Sequence, residues 1–238
     1  MSNSVGHRPS STAWEFDASV VEVFEDMLAR SIPGFQDMRR VVTEVGRAFV
    51  KPGATIVDLG CSKGGSLAPF VKDNKARTYI GVEQAEEMRN AAIERFNENP
   101  RVSILDLDLR YEYPEVLSNL TLSVLTVQFT PIEYRHKLLK RIYDNLKPGG
   151  AFVFVEKCLG SDPRGDELLS SLYLARKAEE GYSTADIEAK RKSLEGVLVP
   201  ITPAWNEALL RSAGFTTVEP IWRSLNFGAW VAIKGEDK

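Results

Sequence analysis

The chain alternates between short apolar runs and segments whose apolar residues recur at helical spacing. The apolar runs are rich in β-branched residues and predict strands at 54–59, 78–82, 102–105, 120–127, 151–156, 216–222 and 227–234. The helical patterns predict helices at 17–28, 38–49, 66–73, 85–97, 131–146 and 204–213. Strands that alternate with helices imply βαβ units, so we expect a mostly parallel α/β sheet with helices on both faces. The last two strands are close in sequence, which predicts an antiparallel pair at one edge of that sheet.

Two segments fall outside this alternation. Residues 17–50 predict a helical N-terminal extension, and residues 162–198 predict a charged helical insertion. Such an insertion covers a site or a partner, or is simply a solvated helix pair. Its thin apolar stripe could contribute to a homodimer contact and consists of Leu168, Leu169, Leu172, Tyr173 and Leu174. The Ser-rich residues 1–13 predict a disordered lead, and residues 14–238 predict a single domain.

Composition and charge restrict the classes of function. The 238 residues carry a formal net charge of -3, with 43% hydrophobic and 26% charged residues, which is ordinary for a globular protein. Nucleic-acid binding normally needs a clustered basic face, so we expect no direct nucleic-acid contact. Without a run of about 20 apolar residues or a signal-peptide core, we expect no membrane contact and a cytoplasmic location. Cys61 and Cys158 form no CxxC motif, and we expect no metal site.

A glycine-rich turn follows the first predicted strand. Gly60 and Gly64 let the backbone approach a ligand closely, and the helix that follows offers free N–H groups. Glu83 ends the next strand about 20 residues downstream, where a carboxylate can bind a ribose diol. Asp106 and Asp108 supply acidic groups after the third strand. Ligands of open α/β sheets bind at the carboxyl ends of strands, so these loops predict one nucleotide-binding crevice.

The spacing of the turn distinguishes between nucleotide cofactors. Asp58-x-Gly60-x-x-x-Gly64 resembles the DxGxxxG form of S-adenosylmethionine-dependent methyltransferases, whereas dinucleotide-binding proteins prefer GxGxxG. A Lys-Pro-Gly-Gly turn at 147–150, placed before a strand, is also typical of that superfamily. The predicted architecture is therefore the Rossmann-like class I methyltransferase fold, with S-adenosylmethionine or its carboxylated derivative as the cofactor.

The chain also resembles one particular family, the carboxy-S-adenosyl-L-methionine synthases, from Trp14 to about Lys234. The most specific matches lie in the N-terminal region and around Lys190, because generic methyltransferases do not share them. The matching segments are 14–17, 23–27, 30–35, 58–62, 128–129, 148–150, 156–157, 181–183, 190–195 and 226–228.

The resemblance implies a distinct chemistry for this fold. The family takes a carboxyl group from prephenate and converts S-adenosylmethionine to its carboxylated form, with phenylpyruvate as the by-product. The product serves the modification of wobble uridine in tRNA. Arg191 stands where the family has the arginine that binds the new carboxylate, a pairing for which a guanidinium is well suited. The residues alone favour a different interpretation, in which Arg191 is one of several cations on a solvated helix, beside Lys190 and Lys192.

The family's other binding positions match in part. Gly60, Cys61 and Ser62 match the loop around the methionine portion, Glu83 with Gln84 the ribose position, and Asp108 with Leu109 the pair beside adenine. Two positions depart from the pattern, because Phe35 replaces a tyrosine and Val124 replaces an asparagine.

These departures leave three functions open. The first is a carboxy-S-adenosylmethionine synthase-like enzyme, and the second is a methyltransferase that acts on a small molecule. The third is a non-catalytic S-adenosylmethionine-binding protein. The first predicts prephenate as the second substrate, the second predicts another small acceptor, and the third predicts tight ligand binding without turnover.

Overall fold

The computed structural model describes residues 18–236, so the predicted lead at 1–13 and the motif at 14–17 lie outside the described residues. The strands form one seven-stranded sheet in the order β3-β2-β1-β4-β5-β7-β6. Their bounds are β1 (Thr55–Leu59), β2 (Thr78–Val82), β3 (Val102–Leu105), β4 (Ser118–Val124), β5 (Leu146–Lys157), β6 (Thr217–Ser224) and β7 (Phe227–Ile233).

The helices lie between and around these strands. Their bounds are α1 (Ala18–Ser31), α2 (Phe35–Arg47), α3 (Ala68–Asp73), α4 (Glu86–Arg95), α5 (Ile132–Asp144), α6 (Pro163–Glu179), α7 (Thr184–Ser193) and α8 (Pro203–Ala213). A short 3-10 helix follows β4 at Val127–Phe129. In the part of the chain that the structure describes, no helix is long and apolar enough to cross a membrane.

The pairing of the strands confirms the predicted sheet. Strands β1 to β5 are parallel, with Val57 opposite Ile80 between β1 and β2. Strand β7 is antiparallel to both β5 and β6, which gives the predicted antiparallel edge. The chain order reverses between β1 and β4, which are adjacent in the sheet, and ligands of α/β sheets bind at such points.

Alternation along the strands gives the sheet two buried faces. Ile56 of β1 packs in a cluster with Met38 of α2, whereas its neighbour Val57 packs in a second cluster with Leu138 of α5. Successive strand residues point to opposite faces, so both must be apolar where helices cover both sides. This explains the continuous apolar runs in the sequence.

The predicted turn at 147–150 lies inside a strand and not before one. These residues continue β5, which starts at Leu146, and the glycine-rich stretch is an irregularity in the strand rather than its beginning. Gly149 adopts a positive φ of 70° while its amide donates to the carbonyl of Lys234 at 3.0 Å. The Lys234 amide returns a 3.0 Å hydrogen bond to Gly150. These two hydrogen bonds to Lys234 therefore hold the irregular stretch beside the strand pairing of β5 with β7, which begins at Ala151.

Candidate active site

A cavity of about 630 Å³ opens at the carboxyl ends of the parallel strands, beside the point where the chain order reverses. The loops after β1, β2, β3 and β4 form its floor. Helices α1, α6 and α7 cover it, so the N-terminal extension and the insertion both contribute to its walls. The cavity lies where an α/β sheet is expected to bind its ligand.

The glycine-rich loop after β1 is held in a strained, tight conformation. Gly60, Ser62 and Gly64 have positive φ values of 65°, 47° and 72°. The amide of Cys61 donates to the carbonyl of Val82 at 2.9 Å, which fastens the loop to the end of β2. A Cβ atom on Gly60 would lie 2.9 Å from Cβ of Thr126, so glycine is required for both φ and space. This packing brings the loop close to the segment that follows β4.

Glu83, at the end of β2, connects the rim of the cavity to this loop. Its carboxylate accepts a hydrogen bond from the Ser62 amide at 2.8 Å and one from the Ala85 amide at 2.9 Å. Burial raises the pKa of Glu83, and the amide donors oppose that rise. A carboxylate at this position, facing the cavity, can accept hydrogen bonds from a ribose diol.

Asp58 lies at the base of the same loop, opposite Arg39 of α2. Burial raises the pKa of Asp58 to about 7, while the Arg39 guanidinium lowers it and the Glu83 carboxylate raises it. Among the described residues, Asp58 Oδ2 has no hydrogen-bond partner. Arg39 donates to the carbonyl of Gly65 within the loop. A buried acidic group beneath the loop favours a ligand with positive charge, such as the sulfonium and ammonium groups of S-adenosylmethionine.

Asp108 and Leu109 form the wall after β3, next to Gln84. The Asp108 carboxylate pairs with Arg110 at 2.6 Å, and this contact lowers the pKa of Asp108. Asp108 is thus ionised at neutral pH and lines the cavity together with Leu107 and Leu109. A polar rim with apolar neighbours is suited to an adenine ring, whose faces are apolar and whose edge is polar.

The remaining predicted positions present apolar or weakly polar groups. Phe35 is buried at the cavity wall, and Val124 lines it from the end of β4. Cys61 is buried, and burial raises the pKa of its thiol well above the ordinary value. The thiolate is the nucleophilic form of cysteine, so this environment favours a packing role for Cys61.

The structure therefore brings most of the predicted site residues together. Nine of them line the cavity, namely Phe35, Gly60, Cys61, Ser62, Glu83, Gln84, Asp108, Leu109 and Val124. Asp58 and Gly64 do not line the cavity. Asp58 is buried at the base of the loop, and Gly64 is part of the loop itself. Arg191 does not reach the cavity of its own chain, because it projects from α7 with a side chain 59% exposed and pairs with Glu188 at 2.8 Å.

Sequence reasoning missed a group of lysines in the cavity wall. Lys157 ends β5, Lys177 lies on α6 and Lys190 lies on α7, and all three line the cavity. Lys157 could have been found from its place at the carboxyl end of a parallel strand. Lys190 falls in the matching segment 190–195, but that match does not show which way its side chain faces. The positions of Lys177 and Lys190 in the cavity wall depend on how the insertion folds over the sheet.

Lys63, an unusual residue for a glycine-rich loop, has a structural partner. Its ammonium donates to the carbonyl of Val21 on α1 at 2.7 Å. Arg95 of α4 donates to the carbonyl of Lys63 at 3.0 Å and pairs with Glu25 of α1 at 3.4 Å. These contacts hold α1 over the loop, so the N-terminal extension and the loop form one unit.

Comparisons with known proteins agree with this geometry. Residues 56–150 match the methyltransferase domain family. The chain is 35% identical to the carboxy-S-adenosyl-L-methionine synthase of Campylobacter fetus, over 98% of this chain and 100% of that protein. It is 33% identical to the synthase of the same name from Escherichia coli K12, over 94% of this chain and 92% of that protein.

Solved structures of methyltransferases share the fold at low identity. Human N-acetylserotonin methyltransferase, in complex with S-adenosylmethionine, superposes with a TM-score of 0.64 at 20% identity over 91% of this chain and 55% of that one. Haemonchus contortus phosphoethanolamine N-methyltransferase 2, also in complex with S-adenosylmethionine, gives a TM-score of 0.67 at 16% identity over 93% and 59%. The predicted class I methyltransferase fold is confirmed.

Proposed function

Since the chain belongs to the carboxy-S-adenosyl-L-methionine synthase family, we propose that it converts S-adenosylmethionine and prephenate to carboxy-S-adenosylmethionine and phenylpyruvate. It is an S-adenosylmethionine-dependent transferase. The observation that supports the proposal most is the convergence of nine predicted cofactor positions on one cavity.

The overall reaction balances without a group from outside the two substrates. The sulfonium of S-adenosylmethionine makes its methyl carbon acidic, and a new carbon–carbon bond forms there with the carboxyl carbon of prephenate. Prephenate loses that carboxyl group and its ring hydroxyl as the ring becomes aromatic. The methyl proton combines with the departing hydroxide to form water. The protein's task is to orient the two substrates and exclude bulk water.

The residues of the chain fit these tasks. We propose that the loop of Gly60, Cys61 and Ser62 holds the methionine portion, Glu83 and Gln84 the ribose, and Asp108 and Leu109 the adenine. The buried Asp58 carboxyl lies close to the loop and balances the positive charge of the cofactor. The acidic groups thus lie on the cofactor side of the cavity.

Arg191 is proposed to bind the carboxylate of the product. It is exposed on the outer face of α7, so it cannot contact a cofactor in its own chain without rearrangement. The expected homodimer removes this difficulty, because an exposed arginine of one copy can complete the cavity of another. On the same insertion, Leu168, Leu172 and Leu174 expose 58%, 47% and 41% of their surface, which supports a contact between copies there.

Mass spectrometry of the ligand that co-purifies with the protein tests the proposal. Cells that supply prephenate should yield protein carrying a nucleoside heavier than S-adenosylmethionine by one carboxyl group. Purified protein should form the same product from added S-adenosylmethionine and prephenate, together with phenylpyruvate. Finding only S-adenosylmethionine or S-adenosylhomocysteine in both assays would overturn the proposal.

A methyltransferase that acts on a small molecule is the second candidate. Phe35 and Val124 favour it, because both lack the polar group that the synthase pattern has at these cavity positions. It predicts S-adenosylhomocysteine formation with a small acceptor and no need for prephenate. Binding of S-adenosylmethionine with turnover in neither assay would instead identify a non-catalytic binding protein.

The wider role follows from the same proposal. We propose that the product supplies a tRNA wobble uridine modification carried out by another protein, within the cytoplasm. The net charge of -3 supports this division of labour, because a synthase of a modified cofactor does not need to contact RNA.

A further inference from the structure

Three lysines from three different elements meet at one end of the cavity. The ammonium of Lys157 on β5 lies 4.8 Å from the centroid of the Tyr173 ring, and that of Lys177 on α6 lies 5.4 Å from the same centroid. Lys177 also lies 5.1 Å from the ring centroid of Tyr182. Lys190 of α7 lines the same cavity, with its ammonium 3.9 Å from the sulfur of Met27. The insertion thus places positive charge over the end of β5.

Within residues 18–236, the charges of Lys157 and Lys177 are not paired with a carboxylate. Asp166 is the acidic group that acts on Lys157, and its carboxylate already accepts a hydrogen bond from the Gly160 amide at 2.7 Å. Lys177 and Lys157 also repel each other.

Burial makes the charged form of these lysines less favourable. Burial lowers the pKa of all three ammonium groups, to about 8 for Lys177 and about 6 for Lys190, and repulsion from a neighbouring lysine adds to the effect at Lys177 and Lys190. Lysines are rarely buried without a compensating charge. An anion bound between them would relieve both the desolvation and the repulsion.

The cluster is distinct from the cofactor side of the cavity. Glu83 follows β2, and β5 is three strands away in the sheet order, which corresponds to about 14 Å at the usual strand spacing. The walls between the two ends include apolar side chains such as Leu28, Leu194 and Phe227. Tyr173 packs edge-on against Phe227, with ring centroids 5.7 Å apart. An apolar ring carrying carboxylates therefore matches this end of the cavity in both shape and charge.

We propose that Lys157, Lys177 and Lys190 form the binding site for the carboxylate groups of the second substrate. This inference rests on the proposed function, which supplies a dicarboxylate with a hydrocarbon ring as that substrate. The ammonium groups bind the two carboxylates, and the ring lies against Tyr173 and Phe227. The carboxylate of the cofactor's methionine portion is the competing occupant, and the experiment separates the two.

Calorimetric titration of protein loaded with S-adenosylhomocysteine tests the site, because this cofactor lacks the methyl group and cannot react. Prephenate is titrated into the wild type and into the Lys177→Met and Lys190→Met variants. Methionine keeps the apolar stem of lysine and removes its charge, and Lys190→Arg keeps the charge should the neutral variants unfold. Lys192→Met is the matched control, because Lys192 lies on the same helix with a side chain 68% exposed.

Each lysine-to-methionine change should weaken prephenate binding by roughly 10- to 100-fold and leave S-adenosylmethionine affinity unchanged. The control and Lys190→Arg should bind prephenate nearly as the wild type does. The inference would be overturned if the methionine variants bind prephenate as tightly as the wild type does. It would also be overturned if they lose affinity for S-adenosylmethionine and not for prephenate.

Malonate, a simple dicarboxylate, separates this inference from the proposed function. Malonate binding that depends on the lysines, in a protein that makes no carboxylated product from prephenate, would uphold the anion site and refute the proposed function. If neither prephenate nor malonate binds, the proposed site is refuted.

Discussion

The carboxylate of Glu83 accepts a hydrogen bond from the backbone amide of Ser62 at 2.8 Å, which joins the end of β2 to the glycine-rich loop after β1. Its second oxygen accepts from the amide of Ala85 at 2.9 Å. One side chain therefore fixes the loop and faces the cavity at the same time. A change at Glu83 therefore alters both the contacts of the loop and the wall of the cavity.

Replacing Glu83 should weaken cofactor binding more than it weakens the fold. Glu83→Gln replaces one carboxylate oxygen with an NH2 group, which then faces the N–H group of either Ser62 or Ala85. Because two donors cannot form a hydrogen bond with each other, we expect calorimetry to show roughly 10- to 100-fold weaker S-adenosylmethionine binding. Glu87→Gln is the control, because Glu87 lies exposed in the helix that follows. Equal affinity in Glu83→Gln and the wild type would show that this carboxylate does not contact the cofactor.

The cofactor side of the site could be predicted because it depends on strand ends. Gly60 and Glu83 directly follow β1 and β2, Asp108 lies in the loop after β3, and parallel strands end at one edge of the sheet. Their convergence needs only the correct strand order. The polar and apolar pattern of the strands was sufficient to predict the mostly parallel sheet.

The lysine side could not be predicted, because it depends on helix rotation and packing. Consecutive side chains of a helix are rotated by about 100°, so Lys190 and Arg191 point in different directions. Lys190 lines the cavity, whereas Arg191 is exposed and pairs with Glu188. A charged helix with a weak apolar stripe does not show which of its cations faces inward. That choice is made by the contacts of α7 with α6 and by the nearby Met27 of α1.

Gly60 should not tolerate a side chain. In Gly60→Ala, the new Cβ would lie 2.9 Å from Cβ of Thr126 at a φ of 65°, so strain and a clash add together. Gly53→Ala is the matched control, because Gly53 has a φ of 84° and open space around its Cβ position. We expect urea denaturation to show a larger loss of stability for Gly60→Ala, by about 1–3 kcal/mol. Equal losses would show that the loop moves away from Thr126 at little cost.

Asp58 should make the stability of the protein depend on pH. Its pKa is about 7 in the folded state and 3.8 as an ordinary value, so the folded state binds more protons between these values. Its contribution to the free energy of unfolding therefore falls as pH rises from about 4 to 7, and then stays constant. Relative to the wild type, Asp58→Asn should gain stability as the pH of urea denaturation rises from about 4 to 8. A difference that does not change with pH would contradict the raised pKa.

Binding of an anion by the lysine cluster should take up protons. The described groups that act on Lys190 include the ammonium of Lys177 and the sulfur of Met27 on α1. With a pKa of about 6, Lys190 is largely neutral at pH 7.5, and a bound carboxylate raises that pKa.

Titration of prephenate into S-adenosylhomocysteine-loaded protein, in phosphate and in Tris, measures this uptake from the difference in apparent binding enthalpy. Affinity should weaken as pH rises from about 6 to 9, because the cluster loses its protons in that range. Lys190→Met should reduce the uptake. If binding instead releases protons, a carboxylate does not bind between these lysines.

Arg191→Ala should separate retention of the carboxylated cofactor from retention of S-adenosylmethionine. The guanidinium can bind a carboxylate through two parallel hydrogen bonds, so its loss removes a contact that only the carboxylated ligand makes. Mass spectrometry of the purified variant should show S-adenosylmethionine in place of the carboxylated form. Calorimetry should show an unchanged affinity for S-adenosylmethionine, since Arg191 does not line the cavity of its own chain.

Arg191→Lys and Lys192→Ala complete this experiment. Lysine keeps the charge but not the paired geometry, so Arg191→Lys should retain an intermediate amount of the carboxylated ligand. Lys192→Ala removes a neighbouring exposed cation and should behave as the wild type. If the arginine acts from a second copy, dilution below the dimer dissociation constant should release the carboxylated ligand from the wild type, whereas Arg191→Ala should keep its bound S-adenosylmethionine on the same dilution. Full retention of the carboxylated ligand by Arg191→Ala would show that other cations, with the lysine cluster as the first candidate, bind its carboxylate.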